Sequence, residues 1–153
     1  MVSKRLIAGV VLVAGAFAWY AFRPERLFID NTVNESLAAA MPTTLAQGTF
    51  HSNAHETTGD ATILSFADGR RILRLTNFST SNGPDVRVYL VAASDVTDDE
   101  TVKTAGFVEL GPMKGNKGDQ NYEIPATVDL AAYRTVTIWC KRFSVNFGSA
   151  PLS

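Results

Sequence analysis

The sequence predicts an all-β domain, an antiparallel β-sandwich or a barrel-like fold, preceded by an N-terminal transmembrane helix and a short amphipathic helix. Three observations predict it. From about Gly48 onward, apolar and polar residues alternate in short runs, the period of a strand with one buried face. Turn signals separate these runs: Asp68-Gly69, the polar stretch Ser79 to Asp85 and the glycine-rich stretch Pro112 to Asp119. Short strands at such spacing argue a sandwich or barrel. The third observation is a single apolar block at the N-terminus.

The chain has 153 residues, enough for one domain with a real core plus an appendage. Residues 1–23 read as a signal anchor, 24–47 as a connector and 48–153 as the β domain. The formal net charge is -1 with both signs mixed, so no basic stripe points to nucleic acid. A single cysteine excludes an intramolecular disulfide, a multi-cysteine zinc site and an iron–sulfur cluster held by one chain.

Lys4 and Arg5 precede Leu6 to Phe22, which carry no charge and, at about 17 residues, reach the lower limit for a membrane span. Ala16-Phe17-Ala18 has the small-x-small form of a signal-peptidase site. Trp19 and Tyr20 beyond it suit an interfacial belt, with Arg23 and Arg26 outside. An uncleaved anchor is therefore preferred to a secreted, cleaved form, because a removed segment has little use for that belt. A buried core helix is disfavoured by the basic flanks. The charge balance across the span is nearly even; a short N-terminal tail usually stays inside, which puts the domain on the extracytoplasmic side. Pro24 opens the connector. Thr32 and Glu35 have capping-box spacing, and Val33, Leu37 and Met41 recur at helical spacing, so a short helix is expected from Val33 to Ala40.

The strands follow in order. Thr49-Phe50 open a short one. Thr62, Leu64 and Phe66 alternate on the next, Asp68-Gly69 turns it, and Ile72 to Phe78 return. Val86, Val88 and Leu90 alternate with Arg87 and Tyr89. Asp95 to Glu100 reads as a linking loop, Phe107 to Leu110 and Asn121 to Ile124 as strands, and Asp129 to Tyr133 as one helical turn. In the last stretch, Thr135 to Phe147, the apolar set is even at Val136, Ile138 and Cys140 but odd at Phe143, Val145 and Phe147. A strand changes phase only through an extra residue or a break. A bulge or bend is therefore expected at Lys141-Arg142, and bulges often lie beside functional sites.

That places Cys140 first among candidate residues. It could serve as a redox thiol, a metal or haem ligand or a nucleophile; against these stands a small buried hydrophobe. The expectation is partial burial beside the bend, with His55 or Asp85 near. His51 and His55 are the only histidines, and their spacing is weak as a metal signal outside a helix. A Cys–His nucleophilic pair lacks an oriented third group. The acidic run Asp95 to Glu100 does not match an EF-hand loop, and Gly115 to Gly118 does not match a phosphate-binding loop. Asp85 follows a Gly-Pro turn, where a carboxylate usually caps the turn. The sequence requires neither haem nor metal.

From Gly48 to Leu152 the chain resembles the DM-thirteen family, described as an electron-transfer domain. The resemblance is carried by Gly48 to Phe50 with His55 and Gly59, by Arg74 to Phe78, and by Gly83 to Val86 with Tyr89-Leu90. It continues in Leu110 to Asn116 with Gly118, in Asn121-Tyr122, and in Val136 to Phe143 running into Phe147-Gly148 and Ala150. The anchor and connector look like those of bacterial members with a membrane tether. The resemblance implies a β-rich fold and a redox-active cysteine at Cys140, with His55 and Asp85 as secondary site residues. It also implies company with haem-binding modules, so the expected redox partner is another protein or a diffusible molecule. A cofactor-free module that binds a protein or glycan at the cell surface, through Ser79–Asp85 and Pro112–Asp119, is the competing reading. A hydrolytic enzyme is the least favoured.

Overall fold

Strands whose apolar residues recur at every second position bury one face each, and two sheets made of such strands shield those faces by packing together. A computed structural model describes residues 4–22, 29–37 and 41–153. In chain order the elements are α1 (Lys4–Phe22), β1 (Thr43–Thr49), β2 (His51–Ser52), β3 (Thr58–Ser65), β4 (Arg71–Ser79) and β5 (Val86–Val91). Then come α2 (Asp99–Thr104), β6 (Phe107–Pro112), β7 (Gln120–Ile124), β8 (Thr135–Cys140) and β9 (Val145–Pro151). The strands form two antiparallel sheets, ordered β1-β3-β4-β7 and β2-β9-β8-β5-β6. This is a sandwich and not a closed barrel. Gln47 and Ser153 exchange two backbone hydrogen bonds of 3.0 Å and bridge the sheets at one corner.

The core lies between Ala61, Ile63, Leu73 and Leu75 of the first sheet and Val86, Val88, Leu90, Val136, Ile138 and Cys140 of the second. In β3 the inward set is odd, Ala61 and Ile63, not the expected Thr62, Leu64 and Phe66. Phe66 instead lies under the Arg70 guanidinium at the hairpin end. Asp68-Gly69 does form the hairpin turn, with Gly69 at φ +86°. The acidic run is not a plain loop. Asp98 caps α2 by accepting the Thr101 N–H at 2.7 Å, and α2 sets Val102 against the outer face of the second sheet.

The phase change after Cys140 is a hairpin. Lys141 to Ser144 make a turn between β8 and β9, Ser144 takes φ +54°, and Cys140 pairs with Val145. The bulge lies further on: Ile138 pairs with Gly148 but Trp139 with Asn146, so Phe147 is the extra residue. A full turn resets strand phase as effectively as an inserted residue, so the break expected at Lys141-Arg142 is present as a turn, and what alternation alone does not show is that β9 starts a new strand there.

Two expectations about the N-terminal part change. Helix α1 forms where the apolar block lies, with Leu6, Val10, Val13 and Phe17 exposed. Among the described residues, however, no helix is long and apolar enough to cross a membrane, so the expected span is not supported. The expected helix from Val33 is absent through Leu37, and residues 38–40 lie outside those described. Residues 31–35 instead run extended along the glycine-rich loop, with Thr32 bridged in parallel to Lys117. Val33 N–H donates to Lys117 O and Glu35 N–H to Asp119 O, both at 2.9 Å. The Glu35 carboxylate accepts the Asn121 N–H at 2.7 Å and pairs with Lys114 at 2.8 Å instead of capping a helix. A β-carbon on Gly115 or Gly118 would collide with the carbonyls of Asn31 or Val33. The two glycines therefore admit this strap. Tyr122, its phenol pushed up to about 12 by burial, holds the loop from below by donating to Gln120 at 2.7 Å.

Gly118 has φ +93° as well as no room for a side chain. Gly118→Ala is expected to cost roughly 1–3 kcal/mol, seen as a lower melting temperature; an unchanged melt would refute the close packing of strap on loop.

Lys114's hydrogen bond holds the Glu35 carboxyl below its ordinary range, outweighing partial desolvation. A depressed carboxyl stabilises the fold above its unfolded pKa, and that contribution fades as pH falls through the folded value. Acid should therefore loosen the strap below the usual glutamate range. Hydrogen exchange at the Val33 and Glu35 amides should report this loosening, and Glu35→Gln should flatten the profile. Equal acid sensitivity in both proteins would contradict the assignment.

Candidate functional site

Strand β8 carries Cys140 at its end, next to the turn that begins at Lys141. Val86 lies opposite it on β5, and Lys141 N–H donates to Asp85 O at 2.8 Å just past that pair. Cys140 is 1 % exposed and belongs to the main core, deeper than the partial burial expected. It is not sealed in. A small pocket of about 160 Å³ lies against it, walled by His55, Asn82, Gly83, Pro84, Phe143, Val145 and Phe147. Phe143 is 61 % exposed at this wall.

The bulge at Phe147 builds one side of the pocket. The Phe147 carbonyl faces the segment after β2, where it accepts the N–H groups of Asn53 at 3.0 Å and His55 at 3.2 Å. A carbonyl has two lone pairs and can take both. This grip sets the His55 ring on the Phe147 ring, centroids 3.9 Å apart. The buried Thr57 hydroxyl then donates to His55 O at 3.2 Å and meets the Thr80 hydroxyl at 2.8 Å, tying the histidine segment to the loop after β4. Gly83 closes the opposite wall: a β-carbon there would lie 2.7 Å from a Val86 methyl and 3.2 Å from the Phe147 ring.

The structure thus brings Cys140 and His55 to one pocket. It does not bring the Asp85 carboxylate there. That group binds the Arg87 guanidinium, and Arg87 also pairs with Glu109 at 2.9 Å. Lys141 adds a contact to Glu109 at 3.1 Å. His51 is apart, its ring 2.8 Å from Asp95. Gly83, Phe143 and Phe147 were not singled out as site residues from sequence. The Gly-Pro pair was a signal for the first; nothing local marks a bulge at the third.

Among the described residues no group of three His, Cys, Asp or Glu could hold a metal ion. The pocket at Cys140 is also smaller than the roughly 300–1,000 Å³ usual for cofactors and drug-sized ligands. Haem and a chelated metal do not fit here. What the site offers is a sheltered thiol, an imidazole and an apolar opening.

A family model described as Electron transfer DM13 matches residues 49–152. The chain belongs to this family. Searches of curated proteins and of solved structures found no match. The DM13 match takes in Cys140, His55, the Gly83-Pro84 turn and the bulge at Phe147, so the whole pocket lies within the family domain.

A second recess of this DM13 domain, about 640 Å³, opens between residues 82–86, residues 112–115 and the strap at Ile29 to Asn31. Asp85 lines this larger recess rather than the thiol pocket.

A thiol buried among apolar walls is unreactive unless its pocket admits the reagent. A small neutral alkylating agent should therefore label native Cys140 faster than a bulky or charged one, read by intact mass. Phe143→Ala should narrow the gap. Labelling only in denaturant, for every reagent, would show that the pocket does not reach the sulfur.

Proposed function

We propose that the protein is a membrane-tethered redox domain in which Cys140 is the group that changes oxidation state. The observation that carries this is the shared pocket of Cys140 and His55 in a domain of the electron-transfer family. When the thiol gives one electron to an acceptor on a partner and its proton to His55 or solvent, a thiyl radical remains. Return of both restores the thiol. Two-electron oxidation by a hydroperoxide would instead leave a sulfenic acid on sulfur, with water or an alcohol departing. Burial limits unselective attack, and the opening beside Phe143 gives a partner one approach.

The tether in this reading is α1, whose Leu6, Val10, Val13 and Phe17 stand exposed behind Lys4 and Arg5. In the same reading the domain lies on the extracytoplasmic side of a cell membrane. A cofactor-free binding module is the second reading, favoured by one observation: the two loops expected to bind face each other across the larger recess.

The test compares one-electron exchange between the purified protein and a soluble mediator in wild type, Cys140→Ala and His55→Ala. Loss of exchange in Cys140→Ala with its fold intact, and slowing in His55→Ala, are expected. Full exchange in Cys140→Ala would end the thiol reading and favour the binding module. Independently, the full chain should co-sediment with membranes and leave them when residues 1–23 are removed. A full chain that stays in the supernatant would remove the tether.

A further inference from the structure

The second sheet has a smaller cluster on the face turned away from the first. Tyr89, Val91 and Trp139 pack there with Val96 and Val102. Tyr89 is 1 % exposed. Its ring stacks on Phe107, with centroids 4.4 Å apart and planes 3° from parallel, and faces Trp139 at 6.4 Å. Phe107 is 46 % exposed and brings the stack to the surface. The Tyr89 hydroxyl donates to Glu109 at 3.4 Å. Arg87 and Lys141 hold that carboxylate, and Asp85 balances Arg87. Trp139 is the residue before Cys140 on β8, with its ring and the sulfur on opposite faces of one sheet.

Aromatic pairs stabilise a core by about 0.5–1.5 kcal/mol through packing alone, and a phenylalanine at position 89 would pack equally well. What tyrosine adds is a hydroxyl directed at a proton acceptor. Tyrosine and tryptophan are also the two aromatic side chains that lose one electron most readily. Here they occur in sequence from a surface contact to the residue beside the thiol.

We propose that Tyr89 and Trp139 form a one-electron relay between the surface at Phe107 and Glu109 and the Cys140 thiol. The proposal deepens the redox reading of Cys140 and rests on it for its inner terminus. The partner is a one-electron oxidant, such as a high-potential metal centre on another protein, seated at Phe107. It takes an electron from the Tyr89 ring while the phenolic proton moves to Glu109. The tyrosyl radical takes an electron from Trp139 and recovers the proton from Glu109. The tryptophan radical takes an electron from Cys140, whose proton leaves to His55 or solvent. In sum the thiol becomes a thiyl radical and a proton, and the oxidant is reduced by one electron. Burial, and then the Glu109 charge, push the Tyr89 phenol up to about 12. The resting residue therefore keeps the proton that the step requires.

The test uses the full chain and a photogenerated ruthenium(III) tris-bipyridyl oxidant. Radicals are read by electron paramagnetic resonance after rapid freezing, and thiol content is read after denaturation. Tyr89→Phe keeps the stack and removes only the hydroxyl, so it should fold. It is expected to abolish the tyrosyl signal and slow thiol loss severalfold, whereas Tyr133→Phe changes neither. Trp139→Phe should leave the tyrosyl signal longer-lived, as should Cys140→Ala. An unchanged signal and unchanged thiol loss in Tyr89→Phe would overturn the relay while leaving the role of Cys140 standing. Loss of the signal in Tyr89→Phe, with an unchanged lifetime in Cys140→Ala, would uphold the aromatic pair and reject Cys140 as its terminus.

Discussion

Every side chain of β8 is buried, and a strand enclosed on both faces dictates what must surround it. Its even residues need a second sheet, which the first four-stranded sheet supplies through Ile63, Leu73 and Leu75. Its odd residues need a second cover, which the loop and helix around Val96 and Val102 supply for Trp139. The polar members need partners in place. Thr135 donates to Ala93 O at 2.9 Å, and Thr137 meets Ser149 at 3.0 Å. Cys140 ends this strand, so its sulfur inherits the burial while the turn that follows opens toward solvent.

The β8–β9 hairpin then carries this constraint outward. Phe147 has no partner on β8, and its carbonyl continues the β2–β9 pairing past Ser52 to hold two amides of the histidine segment. One inserted residue thus links the register of two core strands to the position of an imidazole distant in sequence.

Much of the fold was legible because alternation and turn chemistry are local. Val86, Val88 and Leu90 announced β5, and Asp68-Gly69 announced the hairpin of β3 and β4. The strap and the pocket were not legible, because each depends on distant pairings. Thr32 and Glu35 are spaced as a helix cap, yet Lys114 and Asn121 outcompete the local bond for the same carboxylate. Helix α2 was hidden because five of its six residues are charged or threonine, with only Val102 buried. At the site, Cys140 and His55 stood out by rarity. Phe147 looked like any core aromatic, and Asp85 looked like a site residue although Arg87 holds its carboxylate.

The family match starts at Thr49, but the first sheet starts at Thr43. Strand β1 covers the outer side of β3, and its own outer side is interrupted at Leu45, where the register with β3 slips by one residue. Such a kinked border resists edge-to-edge association, whereas β3 without it would present a bare row of amides and carbonyls. A recombinant fragment cut at the family boundary would therefore keep the whole thiol pocket and yet be prone to aggregate. Residues that the family match leaves out thus guard one edge of the first sheet.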